Sequence, residues 1–143
     1  MRIYFDASFL TSLYAPDANA MAAAQKVGSV VSSSRLVTHL VELEFRNALQ
    51  LRVFRKETNA AAARAAYADW QTDLNDGLFE LCPLPENWIR RSHLIAQQVT
   101  ARLGIRTLDL IHVAAAVELE ADALFSFDER QRRLARELTL KVN

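Results

Sequence analysis

Short apolar, β-prone runs alternate with longer helical patterns along almost the whole chain. The first run, Arg2–Phe5, is followed by a helical pattern over Ala7–Tyr14. Further strands are predicted at 35–37, 78–82, 123–127 and 140–142, with helical patterns between them. Because strands that are separated by helices usually pair in parallel, this alternation predicts an α/β fold with a central parallel sheet of about four to five strands flanked by helices.

Size and composition predict one domain over residues 1–143. With 51% hydrophobic and 24% charged residues, the chain can bury a core of its own. Its one cysteine, Cys82, excludes an internal disulfide and a thiolate zinc site, which favours a reducing compartment, the cytoplasm. A charge at Asp6 and the lack of any long apolar run predict neither a signal peptide nor a membrane span. Because the net charge is zero, nucleic-acid binding would need local arginine clusters or bound cations.

Three aspartates stand at predicted strand ends or helix starts. Asp6 and Asp128 directly follow predicted strands, and Asp109 lies two residues after Thr107, a candidate N-cap. Functional groups gather at the carboxyl ends of parallel strands, so these side chains are expected at one edge of the sheet. Converging carboxylates repel one another and are commonly held by a hard divalent cation such as Mg²⁺. The alternative is that they only cap helices, where Asp is a favoured residue.

Glu42 and Glu44 compete to be a fourth member of this group, and helix geometry separates them. Residues two apart on a helix point about 200° away from each other, so only one can face the aspartates. Glu42 precedes Arg46 by four residues, the favourable order for a surface ion pair. Glu44 shares its stripe with Ala48 and Leu51, where an unpaired carboxylate would be costly. Helix phase therefore favours Glu44.

The acids lie within four short motifs that keep a particular order and spacing. They are Phe5-Asp6-Ala7-Ser8, Glu44-Phe45-Arg46-Asn47-Ala48-Leu49, Arg106-Thr107-Leu108-Asp109-Leu110-Ile111-His112-Val113-Ala114-Ala115-Ala116 and Ser126-Phe127-Asp128-Glu129-Arg130-Gln131. Together they resemble the PIN domain family and, within it, the VapC-type toxins of type II toxin–antitoxin systems. The resemblance covers nearly the whole chain. The family's acidic residues map onto Asp6, Glu44, Asp109 and Asp128, and its small hydroxyl residue maps onto Ser126.

The resemblance implies a three-layer sandwich and a metal-dependent endoribonuclease. Mg²⁺ or Mn²⁺, held by Asp6, Glu44 and Asp109, would activate water to attack an RNA phosphodiester. Asp128 would be a further ligand or would orient the water, and Ser126 would support the ligands as a hydrogen-bond donor. The family's usual assembly is a homodimer bound by a VapB-type antitoxin. Two alternatives stay open: a PIN nuclease that is not a toxin, and a non-catalytic RNA- or protein-binding module.

Several other residues invite a role in this chemistry. Arg46, Arg106 and Arg130 stand nearest the motifs and are predicted to contact the RNA backbone. His112 lies three residues after Asp109, but its apolar neighbours favour a buried structural histidine over a general base. A phosphoryl-transfer protein with Asp6 as nucleophile is a poorer match, because no second acid follows two residues later.

Overall fold

The computed structural model describes residues 1–143. The strands are β1 Arg2–Phe5, β2 Ser34–Thr38, β3 Glu80–Cys82, β4 Ala123–Phe125 and β5 Lys141–Val142. The helices are α1 Ala7–Tyr14, α2 Ala20–Ser29, α3 His39–Phe54, α4 Ala60–Asn75, α5 Trp88–Ile95, α6 Ala101–Leu103, α7 Thr107–Glu118 and α8 Glu129–Glu137, with a π-helical turn at Ala96–Thr100 between α5 and α6. No helix is both long and apolar enough to cross a membrane.

The five strands form one sheet in the order β3-β2-β1-β4-β5, and every neighbouring pair is parallel. Helices α1 to α4 connect β1, β2 and β3 and pack on one another, whereas α5, α7 and α8 form a second packed group. Right-handed crossovers place these two groups on opposite faces, because the strand order reverses at β1. The predicted α/β fold with a central parallel sheet between helices is confirmed.

The central strands are buried on both faces, as expected for a sheet covered by two helical layers. Ile3, Tyr4 and Phe5 of β1 have no exposed surface, and the neighbouring β4 is equally buried. Edge-to-face contacts join Phe5 to Phe9 and Phe79 on one side of the sheet. These contacts fix the first strand against both helix α1 and the chain that enters β3, so the residue after β1 has a well-defined position.

Most predicted elements are present, and their ends differ for identifiable reasons. Thr38 caps α3, because its hydroxyl accepts the Val41 N–H. The predicted cap at Thr107 is wrong: α7 already includes Thr107, and Arg106 takes the N-cap position without a side-chain cap bond. The predicted 123–127 strand ends at Phe125, because the next N–H, that of Ser126, donates to the Asn143 side chain instead of a neighbouring strand.

Candidate active site

The carboxyl ends of β1 and β4 lie side by side at the centre of the sheet, where the strand order reverses. Chain connections leave β1 and β4 in opposite directions at this point, which opens a crevice that α/β proteins use for ligands. Asp6 directly follows β1, and Ser126 directly follows β4. The sheet therefore places both residues at its preferred ligand-binding position.

All four predicted acids line one cavity of about 380 Å³ at this crevice. The lining residues are Asp6, Ala7, Ser8, Glu44, Arg106, Thr107, Leu108, Asp109, Asp128 and Gln131. They come from the starts of α1, α7 and α8 and from the middle of α3. Residues that are far apart in the sequence thus meet where the sequence pattern placed them.

Asp6 is an enclosed carboxylate that contacts only neutral donors. It is 1% exposed, and its Oδ1 accepts the Phe9 N–H at 2.9 Å and the Ser8 hydroxyl at 2.7 Å. Its Oδ2 accepts the Ser126 hydroxyl at 2.6 Å. Burial raises the pKa of Asp6, while the hydrogen bonds from Ser126, Phe9 and Ser8 act in the opposite direction. Burying a carboxylate without a cationic partner costs folding free energy. Such an arrangement is typical of a functional site.

Two serine hydroxyls join Asp6 to the chain that leaves β4. Ser126 donates to Asp6 and accepts the Asp128 N–H at 2.9 Å. Ser8 donates to Asp6 and accepts the Phe127 N–H at 2.9 Å. Ser126 is therefore a hydrogen-bond donor to the carboxylate of Asp6. Ser8 has the same position on the other side of Asp6 and was not among the predicted site residues.

Glu44 is held by a buried hydrogen-bonded chain. Its carboxylate contacts His112 Nε2, and His112 Nδ1 lies 2.9 Å from the Tyr4 hydroxyl. Tyr4 in turn lies 3.1 Å from the Thr38 hydroxyl. Burial raises the pKa of Tyr4 far above its usual range, so the phenol stays protonated and can donate. When Nε2–H donates to Glu44, Nδ1 accepts from Tyr4, and every member of the chain then has a partner.

The predicted burial of His112 is confirmed, since the side chain is fully enclosed. Its contact with Glu44 could not be expected from the sequence, because Glu44 and His112 lie 68 residues apart. The only signal was the spacing from Asp109, which places the two residues on one face of α7. The imidazole contacts an acid of the cavity instead of lining the cavity itself.

Arg106 bridges the remaining two acids. Its Nε lies 3.0 Å from Asp109 Oδ2, and its Nη2 lies 3.3 Å from Asp109 Oδ1 and 3.0 Å from Asp128 Oδ2. Asp109 is 1% exposed, and Asp128 also caps α8 by accepting the Arg130 N–H. The bond to Asp109 raises the pKa of Arg106 above its already high value. One guanidinium thus neutralises part of the charge of two carboxylates.

The other two predicted arginines do not line the cavity. Arg46 lies over the Tyr67 ring, with its guanidinium carbon 3.9 Å from the ring centroid. Arg130 is exposed and follows the Asp128 cap by two residues. The expected Glu42–Arg46 pair is not formed, because Tyr67 of α4 donates its hydroxyl to Glu42 at 2.8 Å. Glu42 does point away from the cavity, as helix phase predicted.

The four acids fit a divalent cation by chemistry, since Mg²⁺ and Mn²⁺ prefer carboxylate oxygens. In the present arrangement, however, no group of three or more His, Cys, Asp or Glu side chains is placed to hold a metal ion. Two of the acids are bonded to Arg106 and one to His112, whereas Asp6 accepts only from the neutral donors Ser8, Phe9 and Ser126.

A family model for the PIN domain matches residues 3–137. The chain belongs to the PIN domain family. The match includes all four motifs of the sequence analysis, and each acid of this PIN domain lies within it. No curated protein matches the chain.

Solved structures share the fold at low sequence identity. The VapBC2 complex of Rickettsia felis, bound to a DNA fragment from its promoter, superimposes with a TM-score of 0.72 at 11% identity, covering 100% of this chain and 98% of the other. FitAcB of Neisseria gonorrhoeae gives 0.71 at 15% identity, with 98% and 95% covered. VapC20 of Mycobacterium tuberculosis, a toxin that cleaves the sarcin-ricin loop, gives 0.67 at 17% identity, with 92% and 93% covered.

Proposed function

We propose that this PIN domain is an endoribonuclease that depends on Mg²⁺ or Mn²⁺ and acts as the toxin of a VapBC-type pair. The main support is that Asp6, Glu44, Asp109 and Asp128 line one cavity at the reversal point of the sheet. The fold is also that of VapC20, a toxin that cleaves the sarcin-ricin loop. A metal-dependent nuclease needs carboxylate oxygens at an open crevice, and four carboxylates line this one.

In this proposal the acids hold the metal and the surrounding residues hold the acids. The bound cation would lower the pKa of a water molecule and neutralise charge on the phosphodiester. Asp6, Glu44 and Asp109 are the proposed ligands, and Asp128 binds the metal or orients the water. Ser126 and Ser8 keep Asp6 in place by donating to its two oxygens.

Arginines near the cavity would contact the RNA strand. Arg106 lines the cavity, and the exposed Arg130 follows Asp128 by two residues. Both can donate to phosphate oxygens, for which the planar guanidinium is well suited. Arg46 would have to leave the Tyr67 ring to contact RNA, because its guanidinium lies on that ring.

The partner proposals follow from the same comparison. Because the fold matches that of VapBC2, we expect this chain to bind a VapB-type antitoxin and to form a homodimer. Such a pair would act in the cytoplasm, where its RNA substrate is found. A small DNA-binding protein encoded directly upstream would support this assignment.

The proposal is tested by RNA cleavage with purified protein and Mn²⁺. Asp6→Asn, Glu44→Gln and Asp109→Asn should each reduce the cleavage rate by at least about 100-fold, because each removes a proposed ligand. Glu42→Gln is the matched control, since this side chain lies on the same helix but contacts Tyr67. It should cleave like the wild type. Undiminished cleavage by Asp6→Asn or Asp109→Asn would contradict the proposed site.

Two further measurements separate the alternatives. Expression of the wild type in a bacterial host should arrest growth, and Asp6→Ala should not. Metal-dependent RNA cleavage without growth arrest would favour a PIN nuclease that is not a toxin. A non-catalytic module would instead show no saturable Mn²⁺ binding in calorimetry and no difference between the wild type and Asp6→Asn.

A further inference from the structure

Arg106 stands where its guanidinium can satisfy two acids of the cavity at once. It bonds both oxygens of Asp109 and one oxygen of Asp128, all within 3.3 Å. Asp109 makes no other side-chain hydrogen bond, although it is 1% exposed. A buried carboxylate needs a compensating partner, and here Arg106 is that partner.

The same oxygens are the ones a divalent cation would need. Carboxylate lone pairs that accept guanidinium N–H groups are not free to bind a metal. Asp109 and Asp128 are two of the four acids that line the cavity, and no three of the four are placed to hold an ion in this arrangement. The guanidinium and the metal therefore compete for Asp109 and Asp128.

We infer that Arg106 is an internal counter-cation that must leave Asp109 and Asp128 before the metal binds fully. This inference rests on the proposed metal-dependent function and adds a regulatory step to it. Release of the side chain is feasible, because Arg106 is 56% exposed and lies at the start of α7, outside the core. Because Asp109 itself is buried, its charge stays compensated only if the metal takes the place of the guanidinium.

Release would also couple the metal to the substrate. Once free, the guanidinium remains at the edge of the cavity, where an RNA phosphate can accept its N–H groups. A phosphate that binds Arg106 removes the competitor, so RNA raises the affinity for the metal. By linkage, the metal raises the affinity for RNA by the same factor.

The test is a Mn²⁺ titration of metal-free protein by isothermal titration calorimetry, without RNA. Arg106→Gln removes the competitor and should lower the apparent Kd for Mn²⁺ by about three- to tenfold. Arg106→Lys keeps the charge but loses the fork that bridges two carboxylates, so its Kd should lie between those of the wild type and Arg106→Gln. Lys also provides a second variant if Arg106→Gln folds poorly.

Arg102→Gln is the matched control. Arg102 makes a two-point ion pair with Glu137 at 2.8 and 3.1 Å, away from the cavity. Its loss should leave Mn²⁺ binding unchanged. If Arg106→Gln binds Mn²⁺ no more tightly than the wild type, Arg106 is not a competitor and the inference is wrong.

Thermal unfolding gives a second readout. Without metal, Arg106→Gln should unfold at a lower temperature than the wild type, because Asp109 loses its partner. Mn²⁺ should then raise the midpoint of the variant by more than it raises that of the wild type. Equal Mn²⁺-induced shifts would contradict the inference. Absence of Mn²⁺ binding in both proteins would overturn the proposed metal dependence as well, which distinguishes the two failures.

Discussion

The cavity has two walls that hold their carboxylates in different ways. On the inner side, a buried hydrogen-bonded chain of Thr38, Tyr4 and His112 reaches Glu44 from the core. We call this chain together with Glu44 the inner wall, although only Glu44 lines the cavity itself. In the outer wall, Asp109 and Asp128 share the exposed side chain of Arg106. Buried networks rearrange at high cost, whereas an exposed arginine can leave. We therefore expect the inner wall to fix the site and the outer wall to respond to ligands.

The largest effect is expected from removing the imidazole of the inner wall. His112→Ala leaves a space in a fully enclosed position and leaves Tyr4 with one fewer partner. The free energy of unfolding in urea should fall by about 2 to 4 kcal/mol. His93→Ala, at an exposed position on α5, is the control and should change little. Equal effects of the two variants would show that the inner wall is not a rigid support.

A smaller effect is expected from removing one hydroxyl of the same chain. Tyr4→Phe keeps the ring but deprives Thr38 and His112 of their shared partner. Unfolding in urea should become easier by about 1 to 2 kcal/mol, since buried polar groups are left unpaired. Tyr67→Phe, which removes the bond to the half-buried Glu42, should cost less. The reverse order would contradict the distinction between the walls.

The smallest of the three effects concerns pH and Asp6, between the two walls. Because burial raises the pKa of Asp6, the folded protein binds a proton more readily than the unfolded chain. The contribution of Asp6 to the free energy of unfolding therefore falls as the pH rises from the usual aspartate pKa to the raised pKa of the folded protein. Without metal, Asp6→Asn should unfold at a higher temperature than the wild type near neutral pH, and the difference should shrink in acid.

The control for this pH dependence is Asp69→Asn, at an exposed position on α4. It should give no comparable stabilisation in thermal melts recorded without metal. If Asp6→Asn is instead less stable than the wild type at neutral pH, the hydrogen bonds from Ser8, Ser126 and Phe9 outweigh the cost of burial.

The sequence predicted what depends on local periodicity. Alternating strand and helix patterns gave the parallel sheet, and helix phase separated Glu44 from Glu42, which points at Tyr67 instead. The acids were expected at one edge because strand ends in a parallel sheet converge there. These arguments need only the chain order and the geometry of each element.

Contacts between residues far apart in the chain could not be predicted from local sequence patterns. His112 meets Tyr4 across 108 residues, so nothing local indicates the pair. Arg106 lies three residues before Asp109, a spacing that favours an ion pair on a helix, yet its bond to Asp128 exists only because α7 and α8 start at the same cavity. The sequence therefore predicted an RNA contact for Arg106 but not its ion pairs with Asp109 and Asp128.

The two serines that donate to Asp6 belong to two recognisable sequence motifs. Asp6-Ala7-Ser8 and Ser126-Phe127-Asp128 are mirror images, acid-x-hydroxyl and hydroxyl-x-acid, and each hydroxyl accepts an N–H from the chain after β4 while donating to Asp6. Alanine could do neither, whereas threonine offers the same oxygen. Two tripeptides of this kind, one after the first strand and one after a later buried strand, would mark the same architecture in an unfamiliar chain before any coordinates exist.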